Sequence, residues 1–209
     1  MRATIIYDNT AWDKRLTPDW GFACLVEAHG RKVLFDTGAK GHILMANMQQ
    51  LSIEPADIDA VVISHDHWDH TGGMDAFLAD RPVDLYIPAS CRTMRDQAIV
   101  IHDSAEIYDN IFSTGELRRI EQSLVVKTDN GVVVIAGCSH AGVTTILTEA
   151  REIAPVTTLI GGLHGFSDFP ALAGLTRICP THCTRHIQEI KNIFPEKYIA
   201  GGAGRVIEV

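Results

Sequence analysis

Residues 60–73 read AVVISHDHWDHTGG. AVVI is an unbroken apolar run of strand length, so 60–64 reads as a strand buried on both faces. Directly after Ser64, all but one of the side chains from His65 to His70 are His or Asp, and Thr71, Gly72 and Gly73 give the chain room to turn. Along an extended segment, positions i and i+2 point the same way, so His65 and His67 can chelate one ion. If the chain then turns into a helix, Asp69 and His70 project from its first turn toward a neighbouring point. Imidazole and carboxylate suit zinc, iron or manganese without any thiolate. Two cations close together would also explain so many potential charges at one strand end, because groups bound to metal are not buried unpaired. A solvated polar loop is the plain alternative. His is an uncommon residue and the loop follows a buried strand, and both facts weigh against it.

Outward from this stretch the chain is β-rich. ATIIYD, FACLVEA and KVLFDTG read as strands, the last two joined by an HGRK turn. HILMANMQQL (42–51) reads as a helix and DLYIP (84–88) as a strand. In a second series, SLVVKT (123–128) and GVVVIAG (131–137) flank TDNG, where Asn-Gly suits a type I′ hairpin turn. VTTILTEAREI (143–153) reads as a helix, VTTLIGG (156–162) as a strand, TRHIQEIKNIF (184–194) as an amphipathic helix, and KYIAGG and RVIEV as short closing strands. The two series match. LVEAHGRKVLFDTG, helix, AVVISHDHWDHTGG parallels LVVKTDNGVVVIAGCSHAG, helix, TTLIGGLHGF. Two such copies can bury their sheet faces against each other and keep helices outside. The expectation is therefore an α/β chain folded as a four-layer αββα sandwich, one domain over residues 1–209. Asp36, His65 to His70, Cys138, His140 and His164 then follow strand ends on one rim.

The 209 residues are 46% hydrophobic and 21% charged, enough apolar material for one sizeable core. A net charge of −8 without a Lys/Arg run argues against a broad nucleic-acid surface. The longest apolar runs are strand-sized, so no membrane span is expected, and no signal peptide is read in MRATIIYDNT. Five irregularly spaced cysteines (24, 91, 138, 179, 183) read as reduced thiols in a cytoplasm. Composition leaves the oligomeric state open.

His65-x-His67-x-Asp69-His70, with an apolar strand before it and paired glycines after, resembles the signature of the metallo-β-lactamase superfamily. LFDTG (34–38) is similar to the Asp-bearing turn upstream in that family. GCSHAG (137–142), GGLHGF (161–166) and PTHCT (180–184) resemble its dihydropterin ribofuranosyl-aminobenzene-phosphate synthase subgroup. The resemblance spans essentially the whole chain, and the family fold is the same αββα sandwich. It implies that His65 and His67 bind one ion and Asp69 and His70 a second, with His140 and His182 as further ligands. It also implies one or two divalent ions, zinc first and manganese or iron as alternatives, with Asp69 and His70 at the chemistry. Asp36 would support the ligands from behind, an ordinary turn Asp being the alternative. Many members carry a bridging Asp in a Gly-Asp pair, whereas this chain has Gly137-Cys138 there. Either Cys138 supplies a thiolate, or water bridges alone, or the second site is weak, and the sequence leaves the three open.

Other positions carry weaker signals. His164 stands equally as ligand, substrate contact or loop residue. Cys179 and Cys183 flank His182, but four ligands at usable spacing are not visible, so both read as structural thiols rather than a zinc knuckle. Trp12 and Trp20 read as buried core aromatics ahead of substrate-mouth aromatics. Arg92, Arg95, Arg118, Arg119, Arg185 and Arg205 are phosphate or carboxylate contacts in one reading and a solvated face in the plainer one. No Gly-rich nucleotide loop follows the first strand, and no G-x-S-x-G elbow occurs. The expected chemistry is attack by metal-activated water on a small anionic substrate. The subgroup resemblance implies a phosphate ester or cyclic phosphodiester, although residues 75–121, where the subgroup builds substrate loops, are compact. A lactonase or thioesterase would use the same site, and a redox enzyme would prefer iron. A non-catalytic, metal-containing ligand sensor is the alternative from another class.

Overall fold

The computed structural model of the chain describes residues 1–79, 83–93 and 95–209, and the side chain of Arg95 lies outside that description. One seven-stranded sheet contains β1 (Arg2–Tyr7), β2 (Ala23–Ala28), β3 (Arg31–Phe35), β4 (Ala60–Val62), β5 (Asp84–Pro88), β6 (Ile99–Ile101) and β13 (Val206–Glu208), ordered β13-β1-β2-β3-β4-β5-β6. The six-stranded sheet contains β7 (Ala105–Tyr108), β8 (Ile111–Ser113), β9 (Leu124–Thr128), β10 (Gly131–Ala136), β11 (Val156–Gly162) and β12 (Arg177–Thr181), ordered β12-β11-β10-β9-β8-β7.

The strand period of two sorts the apolar side chains into layers. Cys24, Val26, Val33, Phe35 and Val62 of the first sheet meet Leu124, Val126, Val133, Ile135, Ile160 and Cys179 of the second. The alternate residues face outward onto helices. Leu25, Leu34 and Val61 pack with Ile43, Leu44 and Met48 of α1 (Gly41–Gln50), and with Met74 and Phe77 of α3 (Met74–Leu78). Between α1 and α3 lies the single turn α2 (Trp68–Thr71). Val125, Val132, Val134 and Ile178 pack with Ile146, Leu147 and Ala150 of α4 (Val143–Arg151), and with Ile190 of α5 (Ile187–Ile193). In α4 the buried residues fall at i, i+3, i+4 and i+7, which is why this segment is a helix with one face down. Helix, sheet, sheet, helix is the expected αββα order. Each fully buried aliphatic side chain contributes about 1.5–3 kcal/mol, so the three apolar layers dominate stability.

The internal repeat is visible in the pairing. β2 and β3 are antiparallel, and β3, β4 and β5 run parallel. β9 and β10 are antiparallel, and β10, β11 and β12 run parallel. Helices α1 and α4 make the corresponding crossovers.

Two local expectations are corrected, and one region is added. KYIAGG is not a strand. It makes one bridge, Tyr198 to Ile178, and then bends at Gly202 so that Ala203 pairs with the backbone of Thr10 and Trp12. The last helix begins at Ile187 rather than Thr184, because the Thr184 hydroxyl donates to the Thr181 carbonyl and accepts from the Leu163 amide. Residues 99–113 form the short strands β6, β7 and β8, which the sequence did not single out.

Candidate metal centre

The carboxyl ends of β3, β4, β10, β11 and β12 open onto one rim, the usual ligand position of parallel α/β sheets. Four segments leave their strands through a left-handed residue: Asp36 (φ 59°), Ser139 (φ 58°), His164 (φ 47°) and His182 (φ 53°). Such backbone costs of order 1–3 kcal/mol per residue and clusters at functional sites. Here it turns each segment inward at the strand end.

Two ligand-type groups result. The donor atoms of His65, His67 and His140 all lie within 4.8 Å of one another, and so do those of Asp69, His70 and His182. Their rings crowd together, with centroids 4.2 Å apart for His65 and His70, and 4.9 Å for both His65–His140 and His67–His140. His65 Nε2 and His67 Nδ1 are 3.0 Å apart, as the i, i+2 reading of that segment requires. Asp69 and His70 sit in the one-turn α2. Asp69 Oδ2 is 3.9 Å from His70 Nε2 and 3.5 Å from His182 Nε2.

Each ring is held from behind. His70 Nδ1–H donates to Asp36 Oδ2 at 2.7 Å, leaving Nε2 facing the rim. The Ser64 hydroxyl donates to the same oxygen at 2.7 Å and lies 2.8 Å from His65 Nδ1. The Ser64 amide donates to Asp36 Oδ1 at 2.7 Å. Asp36, the turn residue of LFDTG, is thus the buried hub of two imidazoles. Gly137 makes room for it: a Cβ there would lie 2.2 Å from Ser64 Oγ and 3.1 Å from Asp36 Oδ2. His182 Nδ1 pairs with Asn9 Oδ1 at 3.0 Å, and Asp8 accepts the His182 amide at 3.2 Å. Glu121, 1% exposed, accepts the Ala141 amide at 2.7 Å and fixes the loop that carries His140. Asn9 and Glu121 carried no sequence signal, since single polar residues in irregular segments look like any loop.

Burial keeps three imidazoles of the site uncharged. Burial, and then the charges of neighbouring rings, hold His65 and His70 well below the ordinary imidazole range and lower His140 as well. They are therefore neutral, lone-pair donors. Burial pushes the Asp69 carboxyl up, but its contact with His182 and the charge of His70 outweigh this and hold it ionised. Burial pushes Asp36 up to about 8 and Glu121 up to about 7. His140 Nε2 and His182 Nε2 are buried with no hydrogen-bond partner. Orphaned buried nitrogens are uncommon, and these two complete the groups that would hold an ion. The donor set fits a divalent transition metal.

A hollow of about 410 Å³ opens beside these groups, lined by Trp20, His67, Trp68, Asp69, Cys138, His140, His164 and Cys183. A larger one of about 650 Å³, around Arg2, His29 and Arg31, holds none of the candidate ligand clusters found among the described residues. Trp20 is half exposed and donates from Nε1 to Asp69 Oδ2 at 2.9 Å, so it belongs to the mouth and not to the core. Trp12 is likewise exposed, with the Arg205 guanidinium 4.2 Å above its ring. Both tryptophans correct the core expectation. Cys179 is buried between the sheets, whereas Cys183 reaches the hollow and groups with Cys138 and His182. His164 lies with its ring 5.0 Å from His140, outside all of the donor groups. Arg92, Arg118, Arg119 and Arg185 are on exposed segments, and no Lys or Arg lines this hollow among the described residues. Among the described residues no helix is long and apolar enough to cross a membrane.

Comparison with known proteins agrees with this geometry. Residues 16–148 match the family model described as the metallo-beta-lactamase superfamily. The 7,8-dihydropterin-6-methyl-4-(beta-D-ribofuranosyl)-aminobenzene-5'-phosphate synthase of Methanocaldococcus jannaschii is 23% identical, over 92% of this chain and 87% of its own. The crystal structure of Tm1679, described as a metal-dependent hydrolase of the beta-lactamase superfamily, superposes with a TM-score of 0.82 at 25% identity, covering 100% of this chain and 99% of that one. Zn(2+)-bound PqqB from Methylobacterium extorquens shares the fold, with a TM-score of 0.71 at 13% identity over the full length of both chains.

Proposed function

This chain belongs to the metallo-beta-lactamase superfamily, and from that membership and the converging imidazoles we propose that it is a metal-dependent hydrolase of a small anionic phosphate ester or cyclic phosphodiester. The observation that carries the reading is the meeting of His65, His67, Asp69, His70, His140 and His182 from three strand ends, with two of their ring nitrogens buried and without a hydrogen bond. A 5'-phosphate in the name of a relative supports the phosphate part.

His65, His67 and His140 would hold one ion, and Asp69, His70 and His182 a second, zinc being the ion of choice for this donor set. Such an ion, when bound, supplies Lewis acidity and lowers the pKa of its water to about 7. The protein does the rest. Asp36 and Ser64 fix which nitrogens His70 and His65 present. Asp69, pinned by Trp20, orients the attacking water and accepts its proton. His70, on the same turn, is fixed by Asp36 with its Nε2 toward the centre. His164, exposed at the mouth, would contact the phosphoryl oxygens, since among the described residues no Lys or Arg lines the hollow. The indole faces of Trp20 and Trp68 cover the non-phosphate part of the substrate and exclude water.

The test is a metal-loading series. Chelator-treated protein is reloaded with zinc, manganese or iron and assayed on bis-p-nitrophenyl phosphate, phosphomonoesters, a lactone and a thioester. Metal-dependent phosphodiester or phosphomonoester turnover supports the reading. Turnover of the lactone or thioester alone would move the substrate class. His67→Ala, at an exposed ring, should lose bound metal and turnover while its far-ultraviolet circular dichroism is retained. Full activity from that variant with its metal gone would end the proposal.

A further inference from the structure

The hydrolase reading leaves two thiols at the rim unused. Cys138 Sγ falls within 4.8 Å of the donor atoms of His65 and His70, and equally within 4.8 Å of those of His182 and Cys183. It therefore stands between the two ends of the centre. It lies 3.2 Å from His70 Nε2, the nitrogen that Asp36 leaves free. The Cys183 thiol approaches the Cys138 carbonyl at 3.8 Å. Their segments follow different strands, β10 and β12, so the tertiary fold and not local sequence brings them together. Gly162 permits the approach, because a Cβ there would meet Cys183 Sγ at 2.8 Å and Cys138 Cα at 3.3 Å. The other cysteines lie elsewhere: Cys24 and Cys179 in the apolar layer between the sheets, and Cys91 in the layer under the helices.

Resting on the metal-centre reading above, we propose that Cys138 and Cys183 make the two metal positions unequal in sulfur, one thiolate at the first and two at the second. The Cys138 thiolate bridges the two ions, and the Cys183 thiolate is a terminal ligand of the ion beside His182. Each thiol gives up its proton as its sulfur–metal bond forms, so seating the ion releases two protons, and no electron is transferred. The positions then differ in kind. Three imidazoles and a shared sulfur hold one, while two imidazoles, a carboxylate and two thiolates hold the other. Thiolates select zinc and softer ions over magnesium, calcium and manganese. The position with two sulfurs should therefore be filled by zinc in the presence of excess manganese.

Cobalt(II) reports this directly. Metal-free full-length protein is titrated with cobalt(II), and two parts of the spectrum are followed. Visible d–d bands report that cobalt is bound, whatever its ligands, and a thiolate-to-cobalt charge-transfer band in the near ultraviolet reports sulfur. The native protein should show both. Cys183→Ser should keep the d–d bands and lose roughly one third to one half of the charge-transfer intensity, because one of the sulfur contacts goes. Cys138→Ser should lose most of it, and Cys138→Ala serves if the serine variant misfolds. Native d–d bands with no charge-transfer band would overturn the sulfur assignment and leave the hydrolase reading standing. A charge-transfer band unchanged in either variant would overturn that cysteine's role. Absence of any cobalt band would instead remove the metal centre itself, and the thiolate proposal with it.

Discussion

Replacing Asp36 with Asn keeps the shape of a buried side chain and removes its charge. In the native site Oδ1 accepts the Ser64 amide, and Oδ2 accepts both the Ser64 hydroxyl and His70 Nδ1–H, each at 2.7 Å. Asparagine brings one oxygen to these three donors. If that oxygen keeps the Ser64 amide, the new NH2 group faces His70 Nδ1. His70 escapes the clash of donors by moving its proton to Nε2, the nitrogen meant for the ion. Losing a group that orients a metal ligand costs about 10- to 100-fold in metal affinity, or about 1.4–2.7 kcal/mol. A pH signature accompanies the loss. Burial pushes the Asp36 carboxyl up to about 8, so below that pH the metal-free protein holds a proton there that an arriving cation must expel. Native zinc affinity should therefore climb with pH toward about 8, and Asp36→Asn should climb less steeply. Competition against a chromophoric chelator from about pH 6 to about pH 9, with circular dichroism as a check on folding, measures both effects. A variant that binds zinc within about twofold of the native protein at every pH would refute this account of Asp36.

Glu121→Gln tests the loop that carries His140. The native carboxyl is pushed up to about 7 from an ordinary 4.5, so the folded, metal-free protein keeps a proton that the unfolded chain releases. Its contribution to stability is complete below about pH 4.5 and is lost by about pH 7, a change of about 3 kcal/mol that urea titrations of the variant should lack. Equal pH slopes for native and variant protein would contradict this. Gly137→Ala forces a Cβ to within 2.2 Å of Ser64 Oγ. Overpacking at such a site costs about 1–3 kcal/mol, and the melting temperature should drop by roughly 2–4 °C for each kcal/mol. An unchanged melting curve would show that the Ser64–Asp36 cradle has slack.

Much of this molecule was legible because two periodicities are clean. Val132 to Ala136 and Ala60 to Val62 are buried without a break, and Val143, Ile146, Leu147 and Ala150 repeat at helical spacing. The crowding of His and Asp after Ser64 is rare enough to stand out. The sandwich and the rim follow from those signals. What escaped has physical reasons. β6 and β7 are short edge strands with few buried residues, so the apolar alternation is faint. Trp20 was read as core because an indole is costly to expose, yet its N–H is held by Asp69 and its ring wets the mouth. Cys183 was read as structural because its partners, Cys138 and His182, meet only when β10 and β12 flank β11. Asn9 acts through a contact 173 residues away in sequence, which no local pattern encodes.

The proposed ligand set has a mechanical consequence. His65, His67, Asp69 and His70 hang from one sheet, while Cys138, His140 and His182 hang from the other. Apolar contact between sheets is non-directional and resists sliding weakly. Coordinate bonds are directional, so a seated cation acts as a rivet at one end of the seam. At a thousandfold excess over its Kd it would add about 4 kcal/mol to unfolding. Stripping it should leave the sheets in register but free to shear, so faster amide exchange should start at the rim and spread down β4 and β10, with the outer helices following last.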